Sequence, residues 1–205
     1  MKAKDRRRNK LKHYCKALPE QFYSTFQLPV VTPDNALQWS NLVSDFNVHF
    51  QEVFSGSSTL TAEMTKGNLL VMFPIDYRYG WDLSFKKHQE ILHAVDKQIR
   101  PTTTWFAPSC TPWSIQTANR DKESLSAQRD AERPTLTWLK SRIEHLVQEN
   151  VSCILEQPRA SAMLRSDESP IAPLANHKAK TDIIIDQCQY GAVDFDSQLP
   201  IKKST

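Results

Sequence analysis

Thr102-Thr103-Thr104-Trp105-Phe106-Ala107 runs directly into Pro108-Ser109-Cys110-Thr111-Pro112-Trp113-Ser114. The first half is β-branched and aromatic, the composition of a strand, and the second is a Pro-punctuated turn that ends the strand and displays a thiol. The same alternation extends on both sides. Upstream, the near-continuous apolar run Leu69 to Ile75 predicts a strand buried on both faces, and His49 to Phe54 a shorter strand ending at Ser55-Gly56. Helices are predicted at Ser57 to Thr65, capped by Ser, and at Ser84 to Ile99, where Ile91, Leu92, Val95 and Ile99 recur at helical spacing. Downstream, the polar loop Gln116 to Glu123 precedes a helix from Ser124 to Asn150, interrupted near Pro134 and striped by Leu136, Leu139, Ile143 and Leu146. Val151 to Leu155 reads as a further buried strand and Thr181 to Asp186 as the last one. Strands separated by helices need right-handed crossovers, so an α/β fold is expected, with an open, mostly parallel sheet and helices on both faces.

Around this core, residues 1–48 read as a basic arm and a connector punctuated by Pro19, Pro29 and Pro33, with a short helix from Asn35 to Phe46 on Leu37, Leu42 and Val43. Residues 49–195 form the α/β domain. Residues 196–205 are a polar tail that reads as a cut end. The arm, residues 1–16, holds eight Lys and Arg against Asp5 alone, a net +7, so a chain of net +3 is −4 elsewhere. Basic character therefore belongs to the arm and not to the domain. Such an arm either contacts nucleic-acid phosphates, serves as a nuclear address, or is a solvated terminus. No apolar stretch approaches the roughly 18 residues that span a bilayer, and no apolar h-region follows the basic start, so neither membrane insertion nor secretion is expected. Cys15, Cys110, Cys153 and Cys188 lie far apart without a Cys-x-x-Cys pair, which argues against a disulfide framework and a structural metal site, and for an intracellular, reducing compartment.

Ligands of open parallel sheets bind at the carboxyl ends of the strands. Here those ends carry the small-residue turn Phe54-Ser55-Gly56-Ser57, then Asp76, then Cys110, then Glu156. Each has an ordinary alternative. Cys110 also reads as a small buried residue, Glu156 as a surface carboxylate or helix cap, and Asp76 as a turn residue. Trp113 and Cys153 read as packing residues, and His88, His93 and His145 as surface residues of helices.

Taken in order, these segments resemble the DNA cytosine-5 methyltransferases. Pro108-Ser109-Cys110-Thr111-Pro112-Trp113-Ser114 is similar to the family's catalytic loop, which carries Pro-Cys-Gln, a small or Pro residue, an aromatic and Ser. Ile154-Leu155-Glu156-Gln157-Pro158 is similar to its Glu-Asn-Val motif. Glu52-Val53-Phe54-Ser55-Gly56 is similar to its Phe-x-Gly cofactor turn, and Asp76 and Asp82 to the acids after the second and third core segments. The resemblance spans about residues 50–192 and implies a Rossmann-like fold, S-adenosyl-L-methionine as cofactor, and DNA rather than RNA as partner. It further implies Cys110 as nucleophile, Glu156 as acid, and Phe54, Ser55, Gly56, Ser57, Asp76 and Asp82 as cofactor-binding residues. The turns after Gly56 and Pro108 are then expected on neighbouring strands.

The chain also departs from the family. Ser109 stands for Pro, Thr111 for Gln, and Gln157-Pro158 for Asn-Val. The cofactor turn has one Gly, no Gln-x-Arg-x-Arg motif follows the last strand, and no target-recognition domain is present in the sequence. The run Trp105 to Ser114 is also similar to methyltransferase-like segments embedded in retroelement polyproteins. The alternative to a DNA methyltransferase is therefore a catalytically inactive, nucleic-acid-binding module of a mobile-element polyprotein.

Overall fold

A computed structural model describes residues 31–67, 69–114, 117 and 121–185. The basic arm 1–16, Cys15, Cys188, Asp186, most of the loop from Gln116 and the tail 196–205 lie outside the described residues. The described residues divide into two compact units, one holding residues up to Ala107 together with Ile143–Leu155, the other holding those of Pro108–Arg142 and of 156–185.

The first unit contains helix α1 (Ala36–Val43), strand β1 (Phe50–Val53), helix α2 (Thr59–Lys66), helix α3 (Lys86–Ile99), and strands β2 (Thr103–Phe106) and β3 (Ser152–Leu155). The strands form an open parallel sheet in the order β1-β2-β3. Its register pairs Val53 with Phe106 and Phe106 with Leu155. The strands after which the Gly56 and Pro108 turns follow are therefore neighbours, as expected. All four residues of β1 are buried, and Val53, Ile75, Val95 and Phe106 are the apolar centre of this unit.

Leu69 to Ile75 is not a regular strand. It meets β1 only at two parallel bridges, Phe50 with Val71 and Val53 with Ile75. Three steps along β1 thus correspond to four along this segment, a bulge of one residue. Pro74 lies within it and has no N–H for a ladder, which is why the apolar run does not complete a strand. β3 also differs from expectation: Ser152 is exposed and Ile154 is 41% exposed, because β3 ends the sheet and only β2 pairs with it among the described residues. Thr181–Ile185 has no regular structure, and Ile183 and Ile184 are exposed. The final strand read there is not formed by those residues.

The second unit is built on helix α4 (Lys122–Gln148), whose last turns belong to the first unit. It is not interrupted at Pro134. The missing hydrogen bond and ring clash of an interior proline cost about 3 kcal/mol, which the burial of Leu136, Leu139, Ile143 and Leu146 along the same helix offsets. Beyond β3 the chain forms 3-10 turns at Ala162–Leu164 and Ala172–Asn176, burying Met163, Ile171 and Leu174.

Two polar side chains of β1 fix the first unit. Glu52 accepts from the Thr61 N–H at 2.9 Å and from its hydroxyl at 2.5 Å, which caps α2 from the strand. Ser58, in the cap position, makes no capping bond with its side chain, contrary to the Ser cap expected. Gln51 donates to Asp96 of α3 at 2.9 Å. Replacing Glu52 by Ala leaves the buried Thr61 donors without an acceptor, so Glu52→Ala should lower stability by about 1–3 kcal/mol in urea unfolding monitored by circular dichroism. An unchanged midpoint would show that the cap is dispensable.

Candidate functional site

The residues singled out in sequence fall into two groups, one per unit. In the first unit the chain leaves β1 through an unusual turn. Phe54, Gly56 and Ser58 all have positive φ, at 63°, 54° and 58°. A bulky residue in the left-handed region stores strain of about 1–3 kcal/mol, and such strain persists only where the surroundings over-determine it. Here they do. The Phe54 and Ser55 N–H groups both donate to the Ile75 carbonyl, at 2.8 and 3.2 Å, and the Ser58 N–H donates to the Ser55 carbonyl. The Ser58 hydroxyl reaches the Ser55 hydroxyl at 3.1 Å and the buried Tyr79 hydroxyl at 2.8 Å. Ser57 is exposed, its hydroxyl 2.9 Å from that of Thr59.

Asp76 is brought onto this turn. One carboxylate oxygen accepts from the Gly56 N–H at 3.0 Å and the other from the Arg78 N–H at 3.0 Å, so the acid joins the β1 turn to the 3-10 turn Tyr77–Tyr79. Burial pushes the Asp76 carboxyl above its usual range; the two N–H donors and the Arg78 charge act the other way without cancelling it. Asp82 stands apart from Gly56 in its bonding. It accepts from the Ser84 N–H and hydroxyl and from the Tyr77 hydroxyl, at 2.9, 2.6 and 2.8 Å. The Asp82 N–H donates to His88 Nδ1 at 2.9 Å. His88 is thus a half-buried structural acceptor rather than a surface residue, and burial lowers its pKa.

In the second unit Cys110 is half-buried, as a free thiol, at the head of the 3-10 turn Thr111–Trp113. Its backbone, φ −89° and ψ 0°, is right-handed, as in a common turn. The Cys110 carbonyl accepts from the Trp113 N–H at 2.9 Å and closes the turn. The Cys110 and Glu156 segments are tied through their neighbours: the buried Gln157 side chain donates to the Pro108 carbonyl at 3.0 Å and accepts from Ser161 at 3.2 Å. Glu156 itself is half-buried. Trp113 is buried, a packing residue as expected, whereas Cys153 is half-buried and not core, since the strand carrying it is an edge among the described residues.

Sequence reasoning passed over Gln157 as a tie, Glu52 as a cap, and Arg129 and Glu132, which hold Trp113. A Glu in an otherwise buried strand was the one available signal among them. Among the described residues no group of three or more His, Cys, Asp and Glu side chains gathers as metal ligands, and no helix is long and apolar enough to cross a membrane. Comparison with family models, with curated proteins and with solved structures gave no match.

The raised Asp76 pKa gives a pH dependence with a definite sign. The folded carboxyl holds its proton more tightly than the unfolded one, so its contribution is fully present below the unfolded value near 3.8 and is lost as pH rises through the folded pKa. Wild type should therefore gain stability relative to Asp76→Asn as pH is lowered from neutrality towards 4, read from paired urea midpoints. A difference that stays constant with pH, or moves the other way, would contradict the raised pKa.

Proposed function

We propose that this chain is a Rossmann-like, S-adenosyl-L-methionine-dependent methyltransferase domain of the cytosine-5 kind that acts on DNA. The observation that carries the reading is the sheet order. After β1 the chain goes to one side, where Val71 and Ile75 bridge to it, and β2 then pairs on the other side. That reversal makes a topological switch point at the carboxyl end of β1, where ligands of open α/β sheets bind. The strained turn 54–58 and Asp76 lie at that end of β1.

The residues there fit such a cofactor. A side chain built onto Gly56 would meet nothing within 4 Å, so a ligand has room to approach the backbone. Each Asp76 oxygen has one N–H partner and retains a second lone pair for a ribose hydroxyl. When bound, the sulfonium cofactor supplies the methyl group. The protein's own part in the chemistry falls to Cys110 and Glu156. The Cys110 thiolate adds to carbon 6 of a cytosine taken out of the stack, which makes carbon 5 nucleophilic, and Glu156 in its acid form donates to the ring nitrogen that gathers the charge. Loss of the carbon 5 proton to a base and departure of the thiolate complete the cycle.

A second reading, the catalytically inactive nucleic-acid-binding module, is favoured by a specific observation. The anion site at the start of α2 is filled by Glu52, and both Asp76 oxygens already serve the chain's own backbone. Two measurements divide the readings. Calorimetry should detect S-adenosyl-L-methionine binding, weakened ten- to hundred-fold by Asp76→Ala, the loss of a charge-assisted bond of about 1.5–3 kcal/mol. With cofactor and single-stranded DNA containing 5-fluorocytosine, wild type should form a denaturant-resistant adduct, Cys110→Ser none, and Glu156→Gln an adduct at a much lower rate. Cofactor binding without adduct removes the catalytic claim, and absence of both favours the binding module.

A further inference from the structure

Cys110 lies midway between two carbonyls that are each held by a side chain distant in sequence. On one side Gln157 donates to the Pro108 carbonyl. On the other, Arg129 of α4 donates its Nε–H to the Pro112 carbonyl at 3.1 Å. The Arg129 guanidinium also lies over the Trp113 ring, 4.8 Å from its centroid, and its Nη1 donates to Glu168 at 2.5 Å. One helical turn along α4, Glu132 accepts from the Trp113 indole N–H at 3.1 Å. The face and the polar edge of Trp113 are therefore both engaged by one helix, and the carbonyl of the preceding Pro112 by the same arginine.

We infer that Arg129 is a positioning residue: it fixes the turn that presents the Cys110 thiol, acting through Pro112 and Trp113, with Glu168 orienting its guanidinium. Only arginine has the parts for this. Its flat face stacks on the indole while separate N–H groups in fixed directions meet a carbonyl and a carboxylate, whereas lysine offers one point charge. The side chain is 21% exposed against 61% for Glu168, so the contacts to the turn are the sheltered ones and the ion pair is the solvated one. Glu168 therefore modulates, and the stack and the Nε–H bond hold. The catalytic consequence rests on the function proposed above, but the geometry rests on the turn alone.

The test uses the full chain and reads two rates. Alkylation by iodoacetamide, followed cysteine by cysteine through peptide mass spectrometry, reports how freely the Cys110 turn opens, with Cys153 on β3 as internal reference. Adduct formation with 5-fluorocytosine DNA reports whether the thiol is presented correctly. Arg129→Lys should raise the Cys110 alkylation rate relative to Cys153 about three- to thirty-fold, as expected when a cation–π contact and one hydrogen bond no longer restrain the turn. It should lower the adduct rate by a similar factor. Opposite movement of the two rates marks positioning. A merely structural role would raise alkylation of Cys153 in parallel, and that result overturns the inference, as does Cys110 alkylation at the wild-type rate. Should Arg129→Lys fail to fold, Arg129→Gln, which keeps N–H donors without the guanidinium face, decides: a rise at Cys110 alone supports the inference, and no change rejects it. If wild type forms no adduct, the proposed function fails while the alkylation ratio still judges Arg129.

Discussion

The first unit depends on β1 being buried along its whole length while carrying Gln51 and Glu52 at its centre. A buried amide or carboxylate without partners costs several kcal/mol, so the fold must bring partners to both. Successive residues point to opposite faces, and the two side chains accordingly reach different helices: Gln51 meets Asp96 of α3 and Glu52 meets Thr61 of α2. The backbone of β1 is engaged on both edges as well, by β2 in continuous register and by Val71 and Ile75 across the bulge. Four residues thus tie two helices and two neighbouring chain segments. The exit from β1 inherits this rigidity, because Phe54 and Ser55 must turn within reach of the Ile75 carbonyl, and left-handed backbone at Phe54 is the result.

The turn of the second unit is held differently. At the end of β1 the constraints are local: Asp76, Ile75 and Tyr79 all lie within about 25 residues of the turn they support. Around Cys110 one constraint comes from far along the chain, Gln157 from 49 residues beyond its acceptor, and the other, Arg129, from 17. The first turn keeps left-handed backbone at Phe54 and Ser58, which an unsupported chain seldom adopts, whereas Cys110 has the right-handed backbone of a common turn.

These differences explain what could be read in advance. β2 was legible because a β-branched and aromatic run ending in Pro has few other uses, and β1 because Val53-Phe54 runs into the small-residue turn Ser55-Gly56. The pairing of β1 with β2 followed from the expectation that the Gly56 and Pro108 turns belong to neighbouring strands. Leu69 to Ile75 misled because apolar content predicts burial, and Met72, Phe73 and Ile75 are buried, whereas Pro74 withholds the regular pairing. Pro134 misled in the opposite direction, since its local penalty is smaller than the gain from four buried side chains on the same helix. At the candidate site the residue types at the strand ends were visible and their supports were not. Arg129 and Glu132 stand among charged residues in the first half of α4, which one sequence cannot distinguish from a solvated face. Only the fold reveals that two of those charges face an indole.

The chemistry asked of the two turns is correspondingly unequal. A ligand hydroxyl approaching Asp76 meets a carboxylate that already accepts two N–H bonds, so it gains a remaining lone pair rather than an idle anion. Burial adds to this by disfavouring the charged form that would bind a hydroxyl best. Asp76 is therefore suited to fixing the turn first and to holding a ligand second, and recognition at the end of β1 must draw on the open space over Gly56 and on the exposed Ser57 as well. Among the described residues the turn around Cys110 closes through its carbonyl and is braced at Pro108, Pro112 and Trp113 rather than through the thiol. A residue whose backbone is fixed by others, and whose side chain is not needed for that fixing, can be exchanged for serine without dismantling its surroundings. This separation of support from reactive group is what lets the thiol's chemistry be tested apart from the stability of the fold.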